Sequence, residues 1–472
     1  MTRFRALWVG LAACAAATAA LGASPDPKDL AVPPDQLSKA RELLRRLGSE
    51  DYREREGAQA ELAKMGRLAK LPLTQAVTSD TDPEVRLRAS RLLPKAAAAD
   101  LQARIDTFLA DTESKFDHDL PGLKAFRKTL AAAEREKVRA LYVELLKSPY
   151  NLDLLAAIDK SETEGGRAIS DRRNTLWNDM QHRPFPPNGR PVPPRQPTLA
   201  DTAALLFAES VVGADSIPKS NWNYINGTQF LQQAASMQAL NNTGAAHADA
   251  YKVIVRHWLA TRTDVNEMAN LAYALNNPAL LKMPETVPLL RRIITTEGVQ
   301  GYSKGQALNT LMQNDKQKEI PFLKTLMTND TMVQQVWFGR ANGQNELHSC
   351  LLKDVALAYQ ITIAGGNIKD YGFETQNNIQ IPAGQLGFGQ YAFTTEEKRT
   401  VAFMRWGWKL LKDGVDAPPA KDAPKSDAKG AAKPEPKDEP KADAPAGPAP
   451  RPKPVAPVPA PAPAALPAKP MK

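Results

Sequence analysis

Asp82-Pro83-Glu84-Val85-Arg86-Leu87-Arg88-Ala89-Ser90-Arg91-Leu92-Leu93 is the stretch on which the fold turns, because it is an echo. Laid 31 residues earlier, Asp51-Tyr52-Arg53-Glu54-Arg55-Glu56-Gly57-Ala58-Gln59-Ala60-Glu61-Leu62 sets Asp over Asp, Arg55 over Arg86, Ala58 over Ala89 and Leu62 over Leu93. Each shared element has a local reason. Asp82 precedes Pro83, and an aspartate just before a helix accepts hydrogen bonds from the orphan amides of the first turn. Proline suits the first helical position, where no amide proton is needed. Ala89 is small where helices approach closely, and Leu92 and Leu93 fill the layer beneath. Leu68 to Val77 supplies a partner helix between the two copies, starting near Gly66.

This order and spacing resemble the HEAT repeat family in its short form of about 30 residues. Asp82 to Ala89 carries the resemblance. The copy at Asp51 departs from it, with Tyr52 in place of proline and Glu54 and Glu56 at usually apolar positions. The resemblance implies an all-α chain, a HEAT-like α-solenoid of antiparallel helix pairs, and an aspartate–arginine ladder along the stack. A second resemblance lies near the end of the folded region. Lys353 to Ala358, Ala364-Gly365-Gly366 and Asp370-Tyr371-Gly372-Phe373 look like the end of HEAT-like proteins exported by some bacteria, with Thr395 to Arg399 opening a closing helix that holds Trp406-Gly407-Trp408. Neither resemblance implies an activity.

Outward from the echo, apolar residues recur at three- and four-residue intervals, the mark of a helix with one buried stripe. The pattern predicts helices over Glu285–Thr296, Ser303–Gln313, Ile320–Met327 and Leu347–Ile363. Short loops at Asn276-Asn277, Asn314-Asp315 and Asn329-Asp330 separate them, so neighbours should be antiparallel. Composition agrees: 43% of the 472 residues are hydrophobic but only 6% aromatic, a balance that favours helix over strand.

Segments of different character flank and divide these helices. Residues 1–23 read as a secretory signal: Arg3 and Arg5, an uncharged run from Ala6 to Leu21, then the small-residue site Leu21-Gly22-Ala23. Leu11-Ala12-Ala13-Cys14 resembles a lipobox, a second route to export in which Cys14 would carry a lipid anchor. Residues 24–36 form an extended mature start, 37–183 a HEAT-like helical region, 184–197 a linker with seven prolines, and 198–412 a second helical region. The tail, 413–472, changes composition outright. From Ala417 onward 56 residues hold 17 of the 39 prolines and no aromatic residue. Such a segment cannot form a core and is expected to be extended and disordered. No later stretch approaches the 18 uncharged apolar residues that a membrane span needs.

The formal charge of +9 is spread along the chain and reads mainly as a solvated surface; the tail adds an acid-free basic end from Arg451 that could contact an anionic surface. With Cys14 in the leader and Cys350 in an expected helix, no intramolecular disulfide and no cysteine metal site is expected.

The five histidines form no metal motif, and Asp117-His118-Asp119 reads as a surface turn before Pro121-Gly122. No phosphate loop, dinucleotide fingerprint or serine elbow occurs, so no catalytic residue, metal or cofactor is assigned. Gly365-Gly366 reads as a helix end, and Ala383 to Tyr391 as an irregular loop. Two aromatic groups stand out as binding surface: Trp222 and Tyr224 in an Asn-rich loop, and Arg405, Trp406 and Trp408 on the last helix, where the tryptophans could equally cap the repeat stack. The expectation is a non-enzymatic interaction scaffold of the bacterial envelope, periplasmic or envelope-associated, binding a protein or polymer. The alternatives are a carbohydrate-binding protein or enzyme using residues 221–243, and an anionic-polymer binder acting through the tail.

Overall fold

The 31-residue echo is an echo of contacts as well as of letters. In the computed structural model, which describes residues 24–181, 195–218, 225–242, 244–339, 345–375 and 387–412, four helices open the fold: α1 (Pro34–Leu47), α2 (Tyr52–Met65), α3 (Lys70–Ser79) and α4 (Pro83–Ala110). Asp51 Oδ1 accepts the Arg53 amide at 2.9 Å, and Asp82 Oδ1 accepts the Glu84 amide at 2.8 Å. Arg55 Nη1 donates to the carbonyls of Ser49 and Glu50; Arg86 Nη1 donates to those of Asp80 and Thr81, each 31 positions on. Ala58 and Ala89 are fully buried.

Glu54 and Glu56, the departures from the repeat pattern, hold neighbours together. Glu54 Oε1 takes Arg46 Nε of α1 at 2.9 Å, and Glu56 Oε1 takes Arg88 Nη1 of α4 at 2.8 Å. Acidic side chains stand where an apolar stripe was expected because both reach arginines on adjacent helices, the half-exposed Arg46 and the buried Arg88.

Leu43, Leu47, Leu62, Leu73, Val85 and Ala89 share one apolar cluster that ends on α4 near Ala96. The same helix, 28 residues and thus about 42 Å long, then gives Ile105 and Phe108 to a second, larger cluster. The helices that follow are α5 (Leu123–Thr129), α6 (Ala132–Leu146), α7 (Pro149–Lys160), α8 (Glu162–Gln181) and α9 (Leu199–Val211). α9 is mostly apolar and buried on every side from Asp201 to Glu209, as a helix at the centre of a core is. It packs on α6, α7 and α8, so helices on both sides of residues 184–197 share one apolar cluster. The discontinuity in apolar packing lies within α4.

Burying α9 on every side confines its two carboxylates, and each has a guanidinium partner. Asp201 Oδ1 accepts Arg172 Nη2 at 2.5 Å. Glu209 accepts Arg173 Nε at 2.8 Å and Trp258 Nε1 at 2.7 Å, while Arg262 Nη2 donates to its carbonyl at 2.6 Å.

Beyond α9 come α10 (Gly227–Leu231), α11 (Ala234–Asn241), α12 (Ala248–Ala260), α13 (Val265–Ala274), α14 (Pro278–Leu281), α15 (Thr286–Thr295), α16 (Gly301–Leu311) and α17 (Ile320–Thr325). The helices expected over 285–296, 303–313 and 320–327 are present within a few residues. A polar contact recurs between them: Arg256 of α12 pairs with Glu285 at 2.8 Å, and Arg291 of α15 pairs with Glu319 at 2.9 Å.

The helix expected from Leu347 begins five residues late. Strands β1 (Met332–Gly339) and β2 (Asn345–Leu351) form an antiparallel hairpin, and α18 runs only over Leu352–Ile363. Cys350 therefore lies on β2, fully buried, and not in a helix. Leu347 and Leu351 are four apart, which mimics a helical stripe, but cross-strand pairing of Trp337 with Leu347 and Gln334 with Cys350 wins. Two-residue strands β3 (Glu374–Thr375) and β4 (Tyr391–Ala392) pair next, and α19 (Glu396–Lys412) closes the described chain. Gly365-Gly366 does end α18: Gly365 has φ +77°, and the Gly366 amide returns to the Ile361 carbonyl.

The chain is thus mostly helical, with two small sheets among the described residues. No described helix is long and apolar enough to cross a membrane. Residues 1–23, where a secretory signal holding Cys14 was expected, the proline-rich stretch at 184–194, Trp222, Tyr224 and the segment 413–472 lie outside the described residues.

Candidate functional site

α19 is amphipathic twice over. Its inner side brings Arg399, Ala402 and Trp406 into the core. Arg399 grips Asp354 of α18 with two nitrogens, at 2.9 and 3.2 Å, and reaches the Ser349 carbonyl at 3.1 Å. Asp354 is wholly buried and also accepts the Leu351 amide at 2.9 Å. Burial pushes its carboxyl above the usual range, opposed by that amide and by Arg399. Burial works against the Arg399 charge as well, yet the hydrogen bond and charge of Asp354 hold its pKa above the ordinary value. Trp406 Nε1 donates to Gln360 Oε1 at 3.3 Å, with the Tyr371 ring edge-on at 5.8 Å.

The outer side carries Val401 (48% exposed), Met404 (54%), Trp408 (73%) and Leu411 (59%). Their spacing is three, four, three. At about 100° per residue this stripe spans an arc of only about 80°, the narrow a/d seam of a coiled coil and not the wider face of a helix settled on a core. Arg405 and Lys412 follow the two a-type positions by four residues and flank the seam on one edge. Arg405 donates to the Asp370 carbonyl, which leaves its charge unneutralised; Lys412 has no ion pair among the described residues. Lys398, one heptad before Arg405, is paired with Glu374 at 2.5 Å. No acidic residue occurs between Lys398 and Lys412.

The structure separates the three residues expected here as one binding surface. Arg405 and Trp408 face outward. Trp406 does not belong to the surface, since two residues along a helix turn the side chain by about 200° and it is 3% exposed. Val401, Met404 and Leu411 were missed, although the 3-4-3 spacing was legible. In the Asn-rich segment, residues 226–228 are packing and not open surface, while Gln232, Gln238, Asn241 and Asn242 are exposed. Asn226 caps α10, Thr228 is buried, and a Cβ on Gly227 would meet Glu209 Oε2 at 2.5 Å.

The other polar concentration is the turn after α4. His118 is not on a surface turn: it is 6% exposed, and its Nε2 lies 3.0 Å from Asp111 Oδ2. Asp111 also accepts the Lys115 and Phe116 amides at 2.9 and 3.0 Å. Although burial disfavours its charge, these bonds hold its carboxyl below the usual carboxylate range. Arg139 clasps the turn through the carbonyls of Phe108 and Asp111. The flanking carboxylates diverge, Asp117 to Arg127 and Asp119 to Arg104, so they hold no ion with the histidine. A shallow groove of about 250 Å³ beside the turn is lined by Phe108, Glu113, Arg127, Arg135 and Arg139. No group of three or more metal-ligating side chains converges among the described residues.

No protein-family model matches the sequence, and no curated protein or solved structure is detectably similar to it. The chemistry has to be read from the geometry, and the geometry offers an exposed apolar seam with positive charge on one edge.

Proposed function

We propose that the protein is an exported, HEAT-like helical scaffold that docks a helix of a partner protein against the outer seam of α19. The observation that carries this reading is the seam Val401, Met404, Trp408 and Leu411. A narrow a/d stripe left in water is complementary to another helix, whose knobs it receives. A bilayer surface would instead favour a broad apolar face.

Charge selects the partner. Positions equivalent to Arg405 and Lys412 set pairing in coiled coils, so the docked helix should carry acidic residues opposite them. A second copy of α19 fits poorly: an antiparallel pair would set these cations against each other, and a parallel pair would set them against Thr400 and Gly407. The tail is also a poor occupant, because residues 413–472 contain no aromatic residue and few large aliphatic ones. Export rests on the leader-like residues 1–23, and the HEAT-like reading on the repeated aspartate caps and arginine-to-carbonyl contacts of α2 and α4.

Four half-exposed apolar side chains are worth roughly 4–8 kcal/mol when buried. Burial of the partner's own a and d side chains roughly doubles this, and after the cost of association a contact of micromolar strength or weaker remains. The full chain should bind a synthetic four-heptad helix with Leu at a and d and Glu at e and g, measured by fluorescence anisotropy. It should bind the same helix with Lys at e and g at least tenfold more weakly, and Met404→Glu should abolish the difference. Equal binding of the two peptides, or binding of neither, would sink the proposal.

A further inference from the structure

α13 and α16 pack side by side, and the surface they share differs from the rest of this charged protein. Its solvent-reaching polar and aromatic positions are Asn266, Asn270 and Tyr273 on α13, and Tyr302, Gln306 and Asn309 on α16. The two charged residues of these helices, Glu267 and Lys304, are both buried, and Glu267 is paired with Arg262 at 3.0 Å. With 24% of the chain charged, a helix pair that presents no charge to solvent stands apart. Its leucines and methionine are buried too, so the face is neither charged nor aliphatic.

In the middle of this face two tyrosines lie exposed, Tyr273 at 47% and Tyr302 at 44%, with ring centroids 6.1 Å apart and planes 25° from parallel. Phe388 extends the aromatic surface, edge-on to Tyr302 at 5.2 Å. Carboxamides surround the rings. Asn309 Oδ1 accepts the Tyr359 hydroxyl at 2.8 Å, which leaves its amide protons to point elsewhere. Asn266, Asn270 and Gln306 make no side-chain hydrogen bond among the described residues.

From this juxtaposition we infer that the α13–α16 face is a binding platform for a neutral glycan. Pyranose rings present apolar C–H faces that pack on exposed aromatic rings, and their hydroxyls both donate and accept, as carboxamides do. The absence of charge excludes the steering that an acidic or basic polymer requires. This site shares no residue with the α19 seam or with the Asn-rich segment at 221–243, although α10 packs on α13, and it gives the scaffold a second kind of ligand.

Native affinity electrophoresis of the full chain, in gels cast with hydroxyethyl cellulose, dextran, glucomannan or soluble starch, with dextran sulfate as the charged comparison, tests the inference. At least one neutral polymer should retard the wild type, with retardation unchanged between 50 and 500 mM NaCl, roughly a tenfold range of ionic strength. Tyr273→Ala with Tyr302→Ala should weaken binding roughly tenfold or more. Tyr273→Phe with Tyr302→Phe should keep most of it, because the rings and not the hydroxyls make the contact. Both substitutions are at exposed positions, and far-UV circular dichroism checks the fold. No retardation by any of the four polymers overturns the inference. So does retardation that the double alanine variant retains, or a salt-sensitive shift seen only with dextran sulfate. Met404→Glu, which disables the α19 seam, should leave glycan retardation unchanged.

Discussion

Replacing Trp406 and Trp408 one at a time by alanine should give opposite results, although the two residues are two apart on one helix. Trp406 is 3% exposed and hydrogen-bonded to Gln360. Truncating a buried aromatic side chain to alanine costs about 3–5 kcal/mol, through lost transfer energy and the cavity left behind. In a chain of this size that lowers Tm by roughly 4–7 °C. Trp408 is 73% exposed, and surface substitutions usually stay within about 0.5 kcal/mol. Its exposed part is about 180 Å² of a side chain of up to about 250 Å². Covering half of that with a partner helix at about 25 cal/mol per Å² is worth roughly 2 kcal/mol, or about thirtyfold in affinity. The assay pairs thermal unfolding followed at 222 nm with anisotropy titration of the acidic helical peptide. Trp406→Ala should melt early. Trp408→Ala should melt with the wild type and bind roughly thirtyfold more weakly. If Trp408→Ala destabilises as much as Trp406→Ala, the two-faced reading of α19 is wrong; if it binds the peptide normally, the seam is not the docking surface.

Two further variants test the buried charges. Arg399→Met leaves the Asp354 carboxylate buried without its main partner and should cost about 3–5 kcal/mol at pH 7. Burial raises the Asp354 pKa in the fold, and without Arg399 that rise is less opposed. A group whose folded pKa is raised contributes stability at low pH and loses it as pH rises through the folded value. The deficit of Arg399→Met against the wild type, read from urea midpoints, should therefore shrink between pH 7 and pH 4.5, and a constant deficit would contradict the assignment. Asp111 has the opposite sign. Its folded pKa is depressed, so its contribution is present above the unfolded value near 3.9 and is lost as pH falls below it. Asp111→Asn should be less stable than the wild type at pH 7 and closer to it at pH 2–3; equal stabilities at pH 7 would refute the role given to the His118–Asp111 turn.

Helical class was legible in the letters alone, because capping and stripe periodicity are local. Asp82-Pro83 announced α4, Asp51 announced α2, and the three- and four-residue spacing announced α15, α16 and α17. The seam of α19 was equally local, a 3-4-3 run of Val401, Met404, Trp408 and Leu411, but no local rule says whether such a stripe faces the core or the solvent. Packing against α18 decided that: Arg399 had a buried carboxylate to meet in Asp354, which turned Ala402 and Trp406 inward and left the seam outside. The same limit explains His118, whose partner Asp111 is seven residues away around a turn, and the strand at Leu347, whose partner Trp337 is ten residues earlier. The neutral face of α13 and α16 belongs to neither helix singly. Tyr273 and Tyr302 are 29 positions apart, and only the docking of one helix on the other sets their rings together. Local propensity and capping are written in consecutive residues; which side of an element meets water is settled by the other elements that compete to bury it.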